Sequence, residues 1–240
     1  MNKFLISFSI FVTSLVCVAC GGGSTSVSTA QTARLRVING SWYVPGSINV
    51  VVDGTTVVSN IAYPMCVNEV CQTLSPYVSV KSGGVDFAVQ AVGSTANLVP
   101  QLQKLNLAPN TQNTLIVVGA VSGTPVGGYL FLDDDAPGAN SVKLRIANAD
   151  PSFPGALAAW VLPDGTAPVG TPTIANVMLG SASSYLTLNP GSYDETFGIS
   201  CFTGPNCIAV GPTTLTAHLN VTVYLLNEGS SHRPLILADN

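Results

Sequence analysis

The feature that most constrains this chain is that it spells one strand twice. "ARLRVINGS" occupies Ala33 to Ser41, and "VKLRIANAD" occupies Val142 to Asp150. Leu35, Arg36 and Val37 correspond to Leu144, Arg145 and Ile146, and Asn39 to Asn148. Four further landmarks follow in the same order. Pro45-Gly46 matches Pro154-Gly155, and Asp53-Gly54-Thr55 matches Asp164-Gly165-Thr166. "SPYVSVKSGGVD" at 75–86 matches "SSYLTLNPGSYD" at 183–194, with Tyr77 over Tyr185 and Gly83 over Gly191. "YLFLDDD" at 129–135 matches "PLILADN" at 234–240. Chance similarity would not keep that order, and the period is that of a whole small domain, beyond solenoid repeats. A chain of 240 residues has room for two such domains.

Each half has the pattern of strands. Leu35 and Val37 alternate with Arg34 and Arg36, which predicts one apolar and one wet face. Ile48, Val50 and Val52 form a second inward set before an Asp-Gly turn, and Val85, Phe87, Val89 and Ala91 a third. "TLIVVGAV" at 114–121 is continuously apolar, as for a central strand covered on both faces. Glu195 falls on an inward position, which predicts an edge or a bulge in that strand. The composition agrees: Thr, Val, Ser, Asn, Gly and Pro are frequent, and few stretches favour a helix. The expected fold is all-β, with two tandem antiparallel β-sandwich domains of immunoglobulin-like kind, at 33–135 and 142–240. The polar segment "DDDAPGANS", Asp133 to Ser141, supplies the boundary, with residues 136–141 as the linker proper.

The N-terminus suggests an address. One Lys precedes an apolar run from Phe4 to Ala19, short for a bilayer span and suited to a secretory signal over 1–19. Ala19-Cys20-Gly21 resembles the cleavage site of bacterial lipoproteins, with Cys17 standing where Leu is usual. The Gly/Ser/Thr-rich segment at 20–32 suits a flexible tether. The expectation is acylation at Cys20 and a place in the cell envelope, at the outer membrane where the host has two. Lysines and arginines are sparse and scattered, so no basic face argues for nucleic acid.

Four cysteines remain in the mature chain. Cys66 and Cys71 flank "VNEV", and Cys201 and Cys207 flank "FTGPN". An even number in an exported chain predicts disulfides, the simplest pairing being Cys66–Cys71 and Cys201–Cys207. Neither pair has a nearby second knuckle or His to complete a zinc site. His218 reads as a strand-surface residue and His232 as a turn residue. No nucleophile elbow, phosphate loop or placed pair of carboxylates stands out, so neither a catalytic residue nor a cofactor is expected. Asp133-Asp134-Asp135 reads as a solvated boundary, because adjacent acids on an extended chain point to alternate sides. Trp42 and Tyr43 follow the first strand, and Phe153 stands in the equivalent loop. Rings there either grip a glycan or an envelope protein, or fold back to plug the end of the core.

The pattern Arg-x-Arg-Val-x-Asn-x-Ser, then a Pro-centred loop, an apolar strand ending in Asp-Gly and a Tyr-initiated strand resembles the bacterial envelope domain of unknown function 4397. That resemblance covers both halves and implies a tandem, secreted or lipid-anchored protein. It carries no catalytic residue. The expected role is non-catalytic binding, adhesion or structure. The rival expectations are an envelope hydrolase and a scaffold subunit of an envelope complex.

Overall fold

The computed structural model describes residues 31–41, 46–63, 66–67, 70–71, 74–119, 126–133, 136, 138–153, 155–198, 207–229 and 231–239, with backbone alone at 66–67 and 70–71. The first half holds β1 (Thr32–Asn39), β2 (Ser47–Val52), β3 (Thr55–Ala62), β4 (Cys66–Val67), β5 (Val70–Cys71), β6 (Val78–Lys81), β7 (Gly83–Val85), β8 (Phe87–Ala91), a 3-10 turn at Pro100–Leu102, β9 (Leu105–Leu107), β10 (Gln112–Val118) and β11 (Gly127–Leu132). The second half holds β12 (Val142–Asn148), β13 (Leu157–Pro163), β14 (Ile174–Val177), β15 (Leu186–Leu188), β16 (Gly191–Gly198), β17 (Ile208–Leu215), β18 (Asn220–Glu228) and β19 (Ser231–Ala238). The chain is all-β among the described residues, apart from that single turn.

Two main sheets make each half, and the first half also carries the two-stranded pairs β4-β5 and β7-β9. The first has strand orders β11-β10-β1-β6 and β3-β2-β8, and the second β19-β18-β12-β15 and β14-β13-β16-β17. Corresponding strands hold corresponding places. The alternating apolar residues meet between the sheets: Leu35, Val37, Ile48, Val50, Phe87, Val89, Leu115 and Val117 in the first core, and Leu144, Ile146, Leu157, Val161, Phe197 and Val223 in the second. Each such side chain contributes roughly 1.5–3 kcal/mol when fully buried. Residues 114–118 of that apolar stretch form most of β10, which is paired on both sides and buried from Asn113 to Val118.

Several expectations are corrected. The sheets are not purely antiparallel, because β1 runs parallel to β10 and β12 parallel to β18. The strand bearing Glu195 is no edge: β16 pairs with both β13 and β17, with a register shift between Tyr193 and Glu195. The bulge expectation holds and the edge expectation fails. Pairing also re-aligns the repeat. Phe87 lies opposite Val52 and Tyr193 opposite Pro163, so Glu195 stands at the place of Val89, two positions from where the sequence match put it. At the last strand the slip is one residue. Asp133 N donates to Gln112 O as Asp239 N donates to Asn220 O, so Asp133 corresponds to Asp239. A one-residue slip exchanges the faces of a strand, and it hid this correspondence.

The wet outer face predicted for β1 holds at the exposed Arg34 and fails at Arg36. Arg36 and Arg145 are each 5 % exposed. The outer face of the β1 sheet carries Ile38, Ile116, Val118 and Phe131, and it packs on Ala147, Ala149, Tyr224, Leu226, Leu235 and Leu237 of the other half. Four β-layers are therefore stacked with three apolar cores between them. The rings of Phe131 and Tyr224 meet edge to face at 5.6 Å across the middle layer.

Candidate functional site

Among the apolar residues of that middle layer lies a reciprocal polar network. Arg36 donates to Thr114 Oγ1 of its own half from Nε at 3.1 Å and from Nη2 at 2.9 Å. It reaches across the seam to Ala238 O at 2.7 Å and Asp239 Oδ1 at 2.8 Å. Arg145 repeats this in reverse, donating to Thr222 Oγ1 of its own half and, across the seam, to Leu132 O and Asp133 Oδ1. Thr114 donates to Asp133 Oδ2, and Thr222 to Asp239 Oδ2. Tyr77 donates to Asp133 at 2.9 Å and Tyr185 to Asp239 at 3.2 Å. The guanidinium of Arg36 lies 4.8 Å from the Tyr77 ring centre, and that of Arg145 lies 4.7 Å from the Tyr185 ring centre.

Burial dominates the chemistry of this network. It raises the Asp133 carboxyl above its ordinary range, and the neighbouring Asp239 adds to the rise against the opposing pull of Thr114, Arg145 and Arg36. Burial also raises the phenols of Tyr77 and Tyr185, keeping both as hydrogen-bond donors. Tyr224 breaks the symmetry. It corresponds to Ile116 by strand register, and its hydroxyl is buried without a hydrogen-bond partner among the described residues. The reading of Asp133 as a solvated boundary residue is overturned, since it is 3 % exposed and is held by three donors. Asp134 and Asp135 lie outside the described residues. Both oxygens of Asp133 and both oxygens of Asp239 are taken by donors within the network. What the network does is lock two sheets in register.

Strand directions place the loops. The chain enters β1 at Thr32, and β10, β12 and β18 run the same way across the seam: Gly40, just beyond β1, faces the Leu226 side chain near the end of β18. The exits of β1, β12 and β18, the start of β2 and the end of β3 therefore share one end of the molecule. The start of β1, the ends of β11 and β19 and the boundary segment share the other. At the exit end, Asn39 and Asn148 make equivalent turns, accepting from Ser41 N and Asp150 N at 3.2 Å. Gly46 (φ 84°) and Gly155 (φ 103°) use the left-handed backbone that glycine adopts without penalty.

A second polar cluster ties this end together. His232 Nδ1 lies 2.6 Å from Asp150 Oδ2, and Ser152 Oγ donates to Asp150 Oδ1 at 2.6 Å. Asn227 Nδ2 donates to Ser152 Oγ at 2.6 Å, and Tyr63 of the first half donates to Asn227 O at 3.3 Å. Ser, Asp and His are thus joined, but Asp150 sits between the other two. A nucleophile needs the imidazole on its hydroxyl, and here the carboxylate takes that bond. The cluster fastens the β12–β13 loop to the β18–β19 hairpin.

The sequence-predicted residues fall as follows. Phe153 is 8 % exposed, packs in the second core and touches His232 edge to face at 5.4 Å. It is a core plug and not a presented ring. Trp42 and Tyr43 lie outside the described residues, as do Cys20 and Cys201. Cys66 and Cys71 are direct cross-strand partners in the β4–β5 hairpin, and Cys207 is partly buried against Ala158 and Trp160 on the outer face of β13. His218 is exposed in a turn (φ 70°) rather than on a strand, and His232 lies in β19 rather than in a turn. Among the described residues no three His, Cys, Asp or Glu side chains cluster as metal ligands, and no helix is long and apolar enough to cross a membrane. A shallow groove of about 410 Å³ beside β8 is lined by Asp86, Phe87, Ala88, Asn97, Gln103 and Lys104. Its Asn97 is occupied with the backbone N–H groups of Val89 and Val99.

Sequence reasoning missed Arg36, Arg145, Thr114, Thr222 and Asp239. The signal was present: an Arg at the same place in both repeats, on a strand otherwise apolar. The sequence model of a family described as a domain of unknown function (DUF4397) matches residues 33–156, just over half of the chain. No curated protein matches.

Proposed function

Because the chain belongs to the DUF4397 family, whose members share a domain of unknown function, we propose that it is a lipid-anchored envelope protein built from two copies of that domain. The second copy is residues 142–240. Its strand order and its reciprocal Arg-Thr-Asp-Tyr set support that reading. The role is non-catalytic: the double sandwich holds a set of loops away from a membrane for binding, adhesion or structure. The observation that carries this is the polarity of the body. The chain enters β1 at one end, and the exits of β1 and β12, the start of β2 and the end of β3 lie at the other. An acyl tether at Cys20 therefore turns those loops outward, and the stable anchoring of two chains keeps them there. The partner class is a glycan or another envelope component, met by Trp42 and Tyr43.

The reading has two arms to test. Cys20→Ser should release the protein from the membrane fraction or stop its processing, and unchanged detergent partitioning would count against the anchor. Trp42→Ala with Tyr43→Ala should abolish binding on a glycan array or to isolated envelopes while the melting temperature holds. A large loss of stability would instead assign the rings to the core.

A further inference from the structure

The reciprocal network has a property that neither sandwich possesses by itself. The cation buried in the first half is neutralised by an acid 203 residues further along the chain. Its side chain is 6 % exposed, and that of Asp239 is 0 % exposed. The carboxylate nearer along the chain, Asp133, stands 3.9 Å from Arg36 and is held by Arg145 of the second half. Arg36 Nη1 donates to Ala238 O at 2.7 Å, and Tyr77 donates to Asp239 O at 3.4 Å. Without β19 the apolar face of Ile38, Ile116, Val118 and Phe131 would lose the cover of Leu235 and Leu237 and stand beside an incompletely paired Arg36. Removing one partner of a buried ion pair is far more damaging than never having built the pair, because the other charge stays buried and unpaired.

We infer that Ala238 and Asp239, at the close of β19, are a latch on the first sandwich, which reaches its native state only once the last strand of the second has docked on it. The reverse latch, Leu132 and Asp133 onto Arg145, is complete earlier in the chain. The second half therefore has its partner waiting, and the first half waits for β19. The two sandwiches are then one cooperative unit, and an exported chain passes through a stage in which both halves are translated and the first is still open. Nothing in this inference depends on an anchor or a ligand.

The experiment is amide hydrogen exchange on the full chain, resolved by strand, for wild type and Asp239→Asn. The substitution keeps the side chain's size and one of its two acceptor oxygens and removes the charge. Exchange should quicken on the order of tenfold or more at β1 and β10 of the first half, together with β18 and β19. Acceleration confined to β18 and β19 would overturn the latch and make Asp239 a local cap. Should Asp239→Asn fail to fold, the double variant Arg36→Met, Asp239→Asn supplies the answer, since the amide oxygen can still accept from Thr222 and Tyr185. Recovery of a folded protein, with both charges gone and volume kept, supports the latch. Failure to recover overturns it, because the damage then does not come from an unpaired Arg36.

Discussion

Glu195 replaces an inward valine with an acid, and its cost should be visible as a pH dependence of stability. It is fully buried in β16, opposite Val161 of β13 and Val210 of β17. One oxygen accepts from Thr213 Oγ1 at 3.1 Å, and the other has no partner among the described residues. Burial pushes the carboxyl up from 4.5 to about 7, with nearby Asp194 adding to the rise and Thr213 opposing it. Below pH 4.5 both folded and unfolded chains keep the proton, and the group costs nothing by titration. Between 4.5 and 7 the unfolded chain releases its proton while the folded one holds it, so stability falls as pH rises. Above 7 both are ionised, and the full difference is reached, about 3 kcal/mol at 1.36 kcal/mol per pH unit. Glu195→Gln keeps the Thr213 contact and cannot titrate. Urea unfolding followed by circular dichroism at pH 4.5, 6 and 8 should show the variant gaining on wild type by that amount. In melting temperature the gain is roughly 6–12 °C for a chain of this length. The Asp133 and Asp239 carboxylates are common to both proteins and cancel in the difference. A wild-type minus variant difference that stays flat across this pH range would refute the reasoning.

Non-reducing peptide mapping should find Cys66 joined to Cys71, since β4 and β5 place them directly opposite in an antiparallel pair, and Cys201 joined to Cys207; a crosslink between the halves would exclude this pairing. Gly180→Ala should destabilise by about 1–3 kcal/mol in thermal melts, because Gly180 has φ 75° and a Cβ there would collide with the Tyr129 ring of the other half; an unchanged melting temperature would mean that the seam at Tyr129 is loose.

How much of this was legible depended on which residues were inspected. The sandwich cores were written in the alternation of Leu35, Val37, Ile48, Val50 and Val52, because strand side chains take opposite faces and one face must leave water. The Asp-Gly turns were equally plain. The seam was not. An Arg between apolar neighbours is normally a wet residue, and only a partner in another layer makes its burial affordable. Arg36 finds that partner at Asp239, a separation that no local pattern encodes. Parallel pairing of β1 with β10 was hidden for the same reason. The alignment slip at the last strand concealed that Asp133 and Asp239 are counterparts. Phe153 illustrates a different limit: a lone ring after a turn has the same sequence signature whether it points out or in.

The mismatch between Tyr224 and Ile116 shows what covalent fusion of two like domains permits. In a dimer of identical chains, a substitution at a symmetric seam appears on both sides at once, and both copies would have had to bury a phenol where one now rests on Phe131. With both copies on one chain, each position can drift alone. The seam keeps matched anchors at Arg36 and Arg145 while its filling diverges, and the outer loops are released further still. The hairpin at Cys66–Cys71 has no counterpart at the same place in the second half. Duplication followed by fusion thus turns a rule of symmetry into a source of variation, and one copy can acquire new surface while the other preserves the body.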